Sequence, residues 1–279
     1  MNAHAYTEHE VEDFFDRTLE NYLGFWDREG VLHTGYFSTD ADSDYRAAAE
    51  RTSAILATDA GIDGSSYVLD AGCGCGNFLI YLAGRFGCRG EGLDLSEERV
   101  KFARHMLASV DDPVRHRISF RHGSVTQLPY EAGTFSHVVS QDALFLVPDK
   151  PRSHAEIGRV LRPGGIFAVS DFLQPKPEIG ERARQHVYDR VRWSGGYSLA
   201  GYQAALEQAG FEIIAAHDLE RHIRQTYRVL GQTAREQAAT TPDSAARDWM
   251  LGFSESCGEI QAAIDRGEFG WGMVVARKP

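Results

Sequence analysis

Between Val68 and Asn77 the chain reads Val-Leu-Asp-Ala-Gly-Cys-Gly-Cys-Gly-Asn, three alternate glycines behind an aspartate. A strand that runs into such a turn and opens a helix lets the backbone approach a ligand closely, because no side chain stands in the way. Taken alone, the turn fits two readings, a ligand loop or ordinary strand-to-helix turn chemistry. A dinucleotide fingerprint would place its third glycine at 77; here Gly76 comes one residue early and Asn77 takes that place. Asp94 follows at the end of the next strand pattern. An acid there is placed to accept hydrogen bonds from both hydroxyls of a ribose, and a surface-loop acid is the plainer alternative.

Proton-transfer chemistry has three candidates. Asp142 and Asp171 follow the fourth and fifth strand patterns, at the C-terminal strand ends where open α/β sheets bind ligands. Asp142 fits a helix N-cap equally well, and Asp171 fits a strand-end acid with backbone partners. His33 is the best placed of His33, His137 and His186 to act as a base, and His137 falls within a strand. The cysteines at 73, 75, 88 and 257 suit neither a disulfide framework nor a tetrahedral zinc site. No metal site is expected, and small size is the simplest reason for Cys73 and Cys75.

The elements that must hold these residues follow from periodicity. Apolar residues from Val11 to Trp26 recur at helical spacing, and 44–60 is Ala-rich and helical. Strand patterns at 67–71, 89–95, 118–122, 135–140 and 166–171 alternate with helices at 77–86, 97–109 and 152–161, which predicts a parallel sheet. Helices are expected at 178–192 and 199–209, a strand at 211–217, a polar helical stretch over 221–266 and a last strand at 272–276. Trp193, Tyr197, Tyr202, Tyr227, Trp249 and Phe253 fall in this later part. They suit either the lining of an apolar site or the core of a helical cap. Arg221, Arg224 and Arg228 form a spaced basic face, either solvated or a carboxylate or phosphate site.

The formal net charge of −11 argues against a nucleic-acid-binding surface, which needs clustered cations. No window approaches a membrane span, and the first residues lack signal-peptide features, so a cytoplasmic, reduced protein is expected. The expected partner is a small molecule, with neither nucleic acid nor membrane; a homodimer is one of the oligomeric states left open.

At this point the sequence resembles the class I S-adenosylmethionine-dependent methyltransferases. The resemblance covers about residues 65–172. It rests on the D-x-G-x-G-x-G turn, the second-strand acid, Gln127-Leu128-Pro129-Tyr130, Phe135-Ser136-His137-Val138-Val139 and Leu161-Arg162-Pro163-Gly164-Gly165. Residues 32–37 and 272–279 extend it toward small-molecule branches that include glycine/sarcosine, phosphoethanolamine and sugar O-methyltransferases. It implies S-adenosylmethionine as cofactor and an α/β fold: a Rossmann-like, seven-stranded, mostly parallel sheet with helices on both faces. It also implies a single domain over 1–279 with a core at about 60–175, an N-terminal helical lid at 8–40, and a helical cap at about 176–210 and 221–266, before the last strand.

Residue by residue, the resemblance implies that Gly72, Gly74 and Gly76 lie against the methionine end of the cofactor and that Asp70 also belongs to the cofactor site. Asp94 would hold the ribose, with Leu95 beside the adenine. Ser124 and Val125 would sit at the adenine amine, where the family usually has an acid. Ser140 and Gln141 would lie near the methionine moiety. Tyr22 and Tyr36 resemble lid tyrosines that close over the cofactor; as aromatic residues in an apolar helix and turn they fit a core equally. Asp142 stands in a segment similar to the S-R-D-A of phosphoethanolamine methyltransferases, whose acid contacts the acceptor, but Leu146 replaces a histidine of several relatives. The expected activity is methyl transfer to O, N or C of a small metabolite. The alternatives are a methyltransferase fold that catalyses a non-methylating reaction such as cyclisation, and a NAD-dependent dehydrogenase.

Overall fold

The computed structural model describes residues 5–279. Helix α1 (Glu8–Phe25) opens on a reciprocal cap: Thr7 accepts from the Glu10 N–H, and the Glu10 side chain accepts from the Thr7 N–H. The helix therefore starts three residues before the apolar periodicity that reveals it. Next come α2 (Tyr45–Asp59), β1 (Tyr67–Ala71), α3 (Asn77–Phe86), β2 (Arg89–Asp94), α4 (Glu97–Ala108), a single turn α5 (Asp112–Arg115), β3 (Ile118–His122) and β4 (Phe135–Gln141). Then follow α6 (Lys150–Val160), β5 (Leu161–Leu173), a short α7 (Glu181–Ala183), α8 (Leu199–Gln208), β6 (Glu212–Asp218), α9 (Glu220–Ala238), α10 (Ser244–Asp265) and β7 (Gly270–Arg277).

The seven strands form one sheet in the order β3-β2-β1-β4-β5-β7-β6. Only β7 runs antiparallel to its neighbours, β5 and β6. The order reverses direction between β1 and β4, and open α/β sheets bind ligands in the crevice at such a switch point. Alternation along each strand sends side chains to two cores. Val68, Val139 and Ala168 pack with α2, α3, α4 and the α9–α10 pair. Leu69, Val138 and Val169 pack with α6 and α8.

The later part departs from the sequence expectation. Instead of one helix over 178–192, α7 runs into a π-turn at Arg184–Tyr188 and a 3₁₀ turn at Asp189–Val191, ending at Arg192 with φ 61°. The stretch 221–266 is helical as expected, in two helices, α9 and α10, packed on each other. Helix α8 belongs to the sheet rather than to a cap, since Tyr202 and Leu206 are buried with Phe211 and Val274. Strand β5 begins at Leu161, not Ile166, because the Pro-Gly-Gly segment continues the ladder through a register shift opposite β4.

Candidate active site

A cavity opens over the C-terminal ends of β1, β2 and β4. It is walled by α1, by residues 30–33, and by Arg190, Val191 and Tyr227 from the later part of the chain. Its floor is the glycine turn. A Cβ at Gly72 would stand 2.4 Å from the Ala143 Cβ, so this glycine lets the β4 loop close against the turn. Gly74 has φ 52° and nothing nearer to a Cβ than Arg99 at 3.6 Å, so its bare face borders open cavity. Gly76 lies outside the lining, where a Cβ would meet Phe120 at 2.6 Å; its smallness serves helix–sheet packing. Cys75 lies 2.5 Å from the site of a Gly30 Cβ and is buried, so small size does explain it.

Asp94 fixes the turn from β2. Its Oδ2 accepts the Gly74 N–H at 2.7 Å and its Oδ1 accepts the Ser96 N–H at 2.8 Å. Asp70 lies beneath, 2% exposed, and its Oδ2 has no hydrogen-bond partner. Burial, and then the charge of Asp94, push this carboxyl up to about 8. A buried carboxyl oxygen without a partner in a cavity wall is a place for a ligand's polar or cationic group.

Strand alternation sorts the other expected residues. On β4, Gln141 faces the cavity, whereas Ser140 points to the opposite core and donates to the Ala71 carbonyl at 2.7 Å. On β5, Phe172 lines the cavity and Asp171 does not. Asp171 accepts from the Phe145 N–H and the Tyr202 hydroxyl on the other side, and burial pushes it up to about 8. Tyr22, Leu95, Ser124 and Val125 are in the wall. Tyr36 is not; it stacks on His222 at 3.8 Å between ring centroids. Of the six later aromatic residues only Tyr227 reaches the cavity. Trp193 is buried against Tyr188, and Trp249 and Phe253 stack on each other beside Phe25. His137 and His186 bond to Ala60 and Ser256, while Arg221 and Arg224 pair with Asp40 and Asp265.

Asp142 and His33 both line the cavity, and Asp142 holds the residue next to His33. Asp142 takes φ 50°, a left-handed conformation rare outside glycine. Its Oδ2 accepts the Thr34 N–H at 2.6 Å; its Oδ1 accepts the Trp271 indole N–H at 2.7 Å and the Ser170 hydroxyl at 3.2 Å. Three donors already occupy it, which suits a fixed anion better than a proton acceptor. His33 Nδ1 lies 3.3 Å from the Thr34 carbonyl, so that nitrogen carries the proton, and Nε2 has no partner among the described residues. Burial lowers its pKa from the ordinary 6.5, against the raising effect of Asp142. The ring is thus neutral near pH 7, and the residue lines the cavity.

Sequence reasoning missed the acids of α1. Glu8 accepts from Ser124 and Thr126, Glu12 pairs with His122, and Asp16 accepts from Ser96. Their i, i+4 spacing was the available signal. It also missed Arg190. Among the described residues no three His, Cys, Asp or Glu side chains group to hold a metal ion, and no helix is long and apolar enough to cross a membrane.

The site can therefore seat a ligand with hydroxyls near Asp94, a donor or cation near Asp70, and a second molecule beside His33. Comparison with known proteins defines the class. Residues 69–169 match a family described as a methyltransferase domain. A sarcosine/dimethylglycine N-methyltransferase of Halorhodospira halochloris is 31% identical over 215 residues, 77% of this chain and 75% of that one. The 27-O-demethylrifamycin SV methyltransferase of Amycolatopsis mediterranei is 29% identical over 283 residues, 98% of each chain. The crystal structure of the [4+2]-cyclase SpnF superimposes with a TM-score of 0.84 at 22% identity, covering 99% of this chain and 97% of that one. The chain belongs to the class I S-adenosylmethionine-dependent methyltransferases that act on small molecules. This sets aside the nicotinamide alternative.

Proposed function

We propose that the chain methylates a hydroxyl oxygen of a small, largely apolar acceptor, with His33 as general base. The observation that carries this reading is the neutral His33 imidazole: the residue lines the cavity, and its Nε2 has no partner among the described residues. The relative that aligns from end to end acts, by its name, at an oxygen, which supports the same atom here. The wall supports an apolar acceptor through Leu144, Phe145, Leu146, Val147 and Phe172.

S-adenosylmethionine supplies an electrophilic methyl on a sulfonium. Everything else falls to this chain. Asp94 would accept from the ribose hydroxyls while it holds Gly74; Asp70 would meet the cationic end; Leu95, Ser124 and Val125 would flank the adenine. His33 would take the acceptor's hydroxyl proton at Nε2, while the methyl would pass to that oxygen with cleavage of its bond to sulfur, leaving the neutral thioether. Asp142 stabilises the imidazolium electrostatically and anchors the Thr34 backbone. Helix α1 and the α9–α10 pair exclude water, and alignment of the reactants contributes the rest of the rate. In this reading the whole chain is one catalytic unit.

The test is turnover of a pool of hydroxylated metabolites, read by mass spectrometry. A product heavier by one methylene is expected, with loss of ~10²–10⁴-fold in kcat for His33→Gln and unchanged S-adenosylhomocysteine affinity. A product of unchanged mass would favour the cyclase alternative, whose fold this chain shares. Wild-type turnover by His33→Gln would remove the base.

A further inference from the structure

Among the described residues two cations of the cavity wall have no anionic partner, Arg99 beside the glycine turn and Arg190 in the later part of the chain. Arg190 is half-buried and lines the cavity beside Val191 and Tyr227. Its Nε donates to the His186 carbonyl at 3.1 Å, and its Nη1 reaches the Tyr22 hydroxyl at 3.4 Å. The guanidinium lies 5.5 Å from the centroid of the Phe253 ring. No carboxylate of the described residues comes within ion-pairing distance of it. Arg99 lies over the Phe15 ring beside Gly74, at the glycine turn, whereas Arg46 pairs with Asp27 and Glu29, and Arg159 with Glu156. A guanidinium has five N–H donors in a planar fork, and two are accounted for here. Withdrawing such a group from water without a partner is unfavourable unless a ligand supplies one.

The backbone presents this side chain deliberately. The π-turn at Arg184–Tyr188, the 3₁₀ turn at Asp189–Val191 and the left-handed Arg192 replace a regular helix and leave Arg190 on the wall. Its neighbours come from α1 and from the later part of the chain, and none from the glycine turn. We propose that Arg190 receives a carboxylate carried by the methyl acceptor, so that the acceptor is an apolar acid docked by its anionic end. A carboxylate matches the planar fork in geometry and charge.

This rests on the methyl-transfer reading only in assigning the anion to the acceptor, so the test reads binding without turnover. Protein saturated with S-adenosylhomocysteine is titrated by calorimetry with naphthalene carboxylate and with its neutral carboxamide. The wild type should bind the carboxylate at least about tenfold tighter, the scale of one charge-assisted bond. Arg190→Met should lose that preference and Arg190→Lys should keep part of it. Equal binding of the two probes, no measurable binding of the carboxylate, or a preference that survives Arg190→Met overturns the proposal. The cofactor also carries a carboxylate, so both proteins are titrated with S-adenosylhomocysteine and with methylthioadenosine, which lacks that end. Weakening of the first alone in Arg190→Met would assign the anion to the cofactor and overturn the acceptor assignment. Fully active His33 variants with an intact anion preference would remove the base and leave Arg190 standing.

Discussion

Asp142 Oδ2 accepts the Thr34 N–H at 2.6 Å, across 108 positions of sequence, and so ties the end of β4 to the segment that carries His33. The bond makes the base's position a property of the sheet. It also places a negative charge where an imidazolium would form.

Asp142→Asn isolates that charge, because asparagine tolerates the left-handed backbone nearly as well as aspartate. The amide presents a donor to at least one of three donors, so urea unfolding should show a loss of about 1–3 kcal/mol. The Asp142 charge raises the His33 pKa; without it the imidazole stays neutral to lower pH. The acid limb of the kcat profile should therefore move to lower pH while the plateau falls. An unmoved limb would separate the two residues functionally.

Valine at Gly72 and at Gly74 should both weaken cofactor binding, but by different routes. At Gly72 the new Cβ would collide with Ala143 and displace the β4 loop, so unfolding temperature and cofactor affinity should both fall. At Gly74 the nearest atom is 3.6 Å away and belongs to the end of an arginine. Gly74→Val pays mainly for its positive φ, of order 1–2 kcal/mol, yet fills the face open to the cavity. Circular dichroism should show it folded and calorimetry should show no S-adenosylhomocysteine binding. A folded variant that binds normally would move the cofactor elsewhere.

What the sequence made legible follows from range. The glycine turn, Asp94 and the order of βα units are local patterns with strict spacing, and they stand where expected. Strand phase was less legible: a period of two sends Gln141 to the cavity and Ser140 away, Phe172 to the cavity and Asp171 away, and a strand end does not announce its phase. Least legible were pairings across long separations. Nothing near Ser124 foretells that Glu8 will reach it, nor does anything near Tyr22 foretell Arg190. The segment 178–192 read as one helix, and its buried Ala183, Val187, Tyr188 and Val191 do keep helical spacing, yet the backbone passes through a π-turn and a 3₁₀ turn that such a pattern does not reveal.

Asp171→Asn should report on the buried pair behind the site rather than on chemistry. The folded carboxyl titrates at about 8 against an ordinary 3.8, so the folded protein holds a proton that the unfolded chain has released between those values. Its contribution to stability therefore declines as pH rises through that window. Lys150, pulled down to about 8 by burial, acts in the opposite sense only above that pH. The wild type's advantage over Asp171→Asn in urea unfolding should be larger near about pH 5 than near about pH 8. An advantage that grows with pH would mean that Asp171 is ionised in the fold.

Asp70 links the cofactor to the proton. Its carboxyl titrates at about 8 because it is buried and faces the charge of Asp94, and its Oδ2 has no partner. Below that pH the free protein holds Asp70 protonated. The sulfonium and ammonium of S-adenosylmethionine favour the carboxylate, so binding must drive the proton off. Affinity should therefore rise as pH increases from about 6 toward 8 and level off above, by at most about tenfold per unit. Calorimetry in two buffers of different ionisation enthalpy should detect a fraction of a proton released per cofactor bound at about pH 7. Asp70→Asn has no proton to lose: its affinity should be lower at pH 8, nearly flat with pH, and its binding enthalpy independent of buffer. If the wild type releases no proton, or if the asparagine variant keeps the same pH dependence, Asp70 is ionised before the cofactor arrives, and its orphaned oxygen serves some other donor.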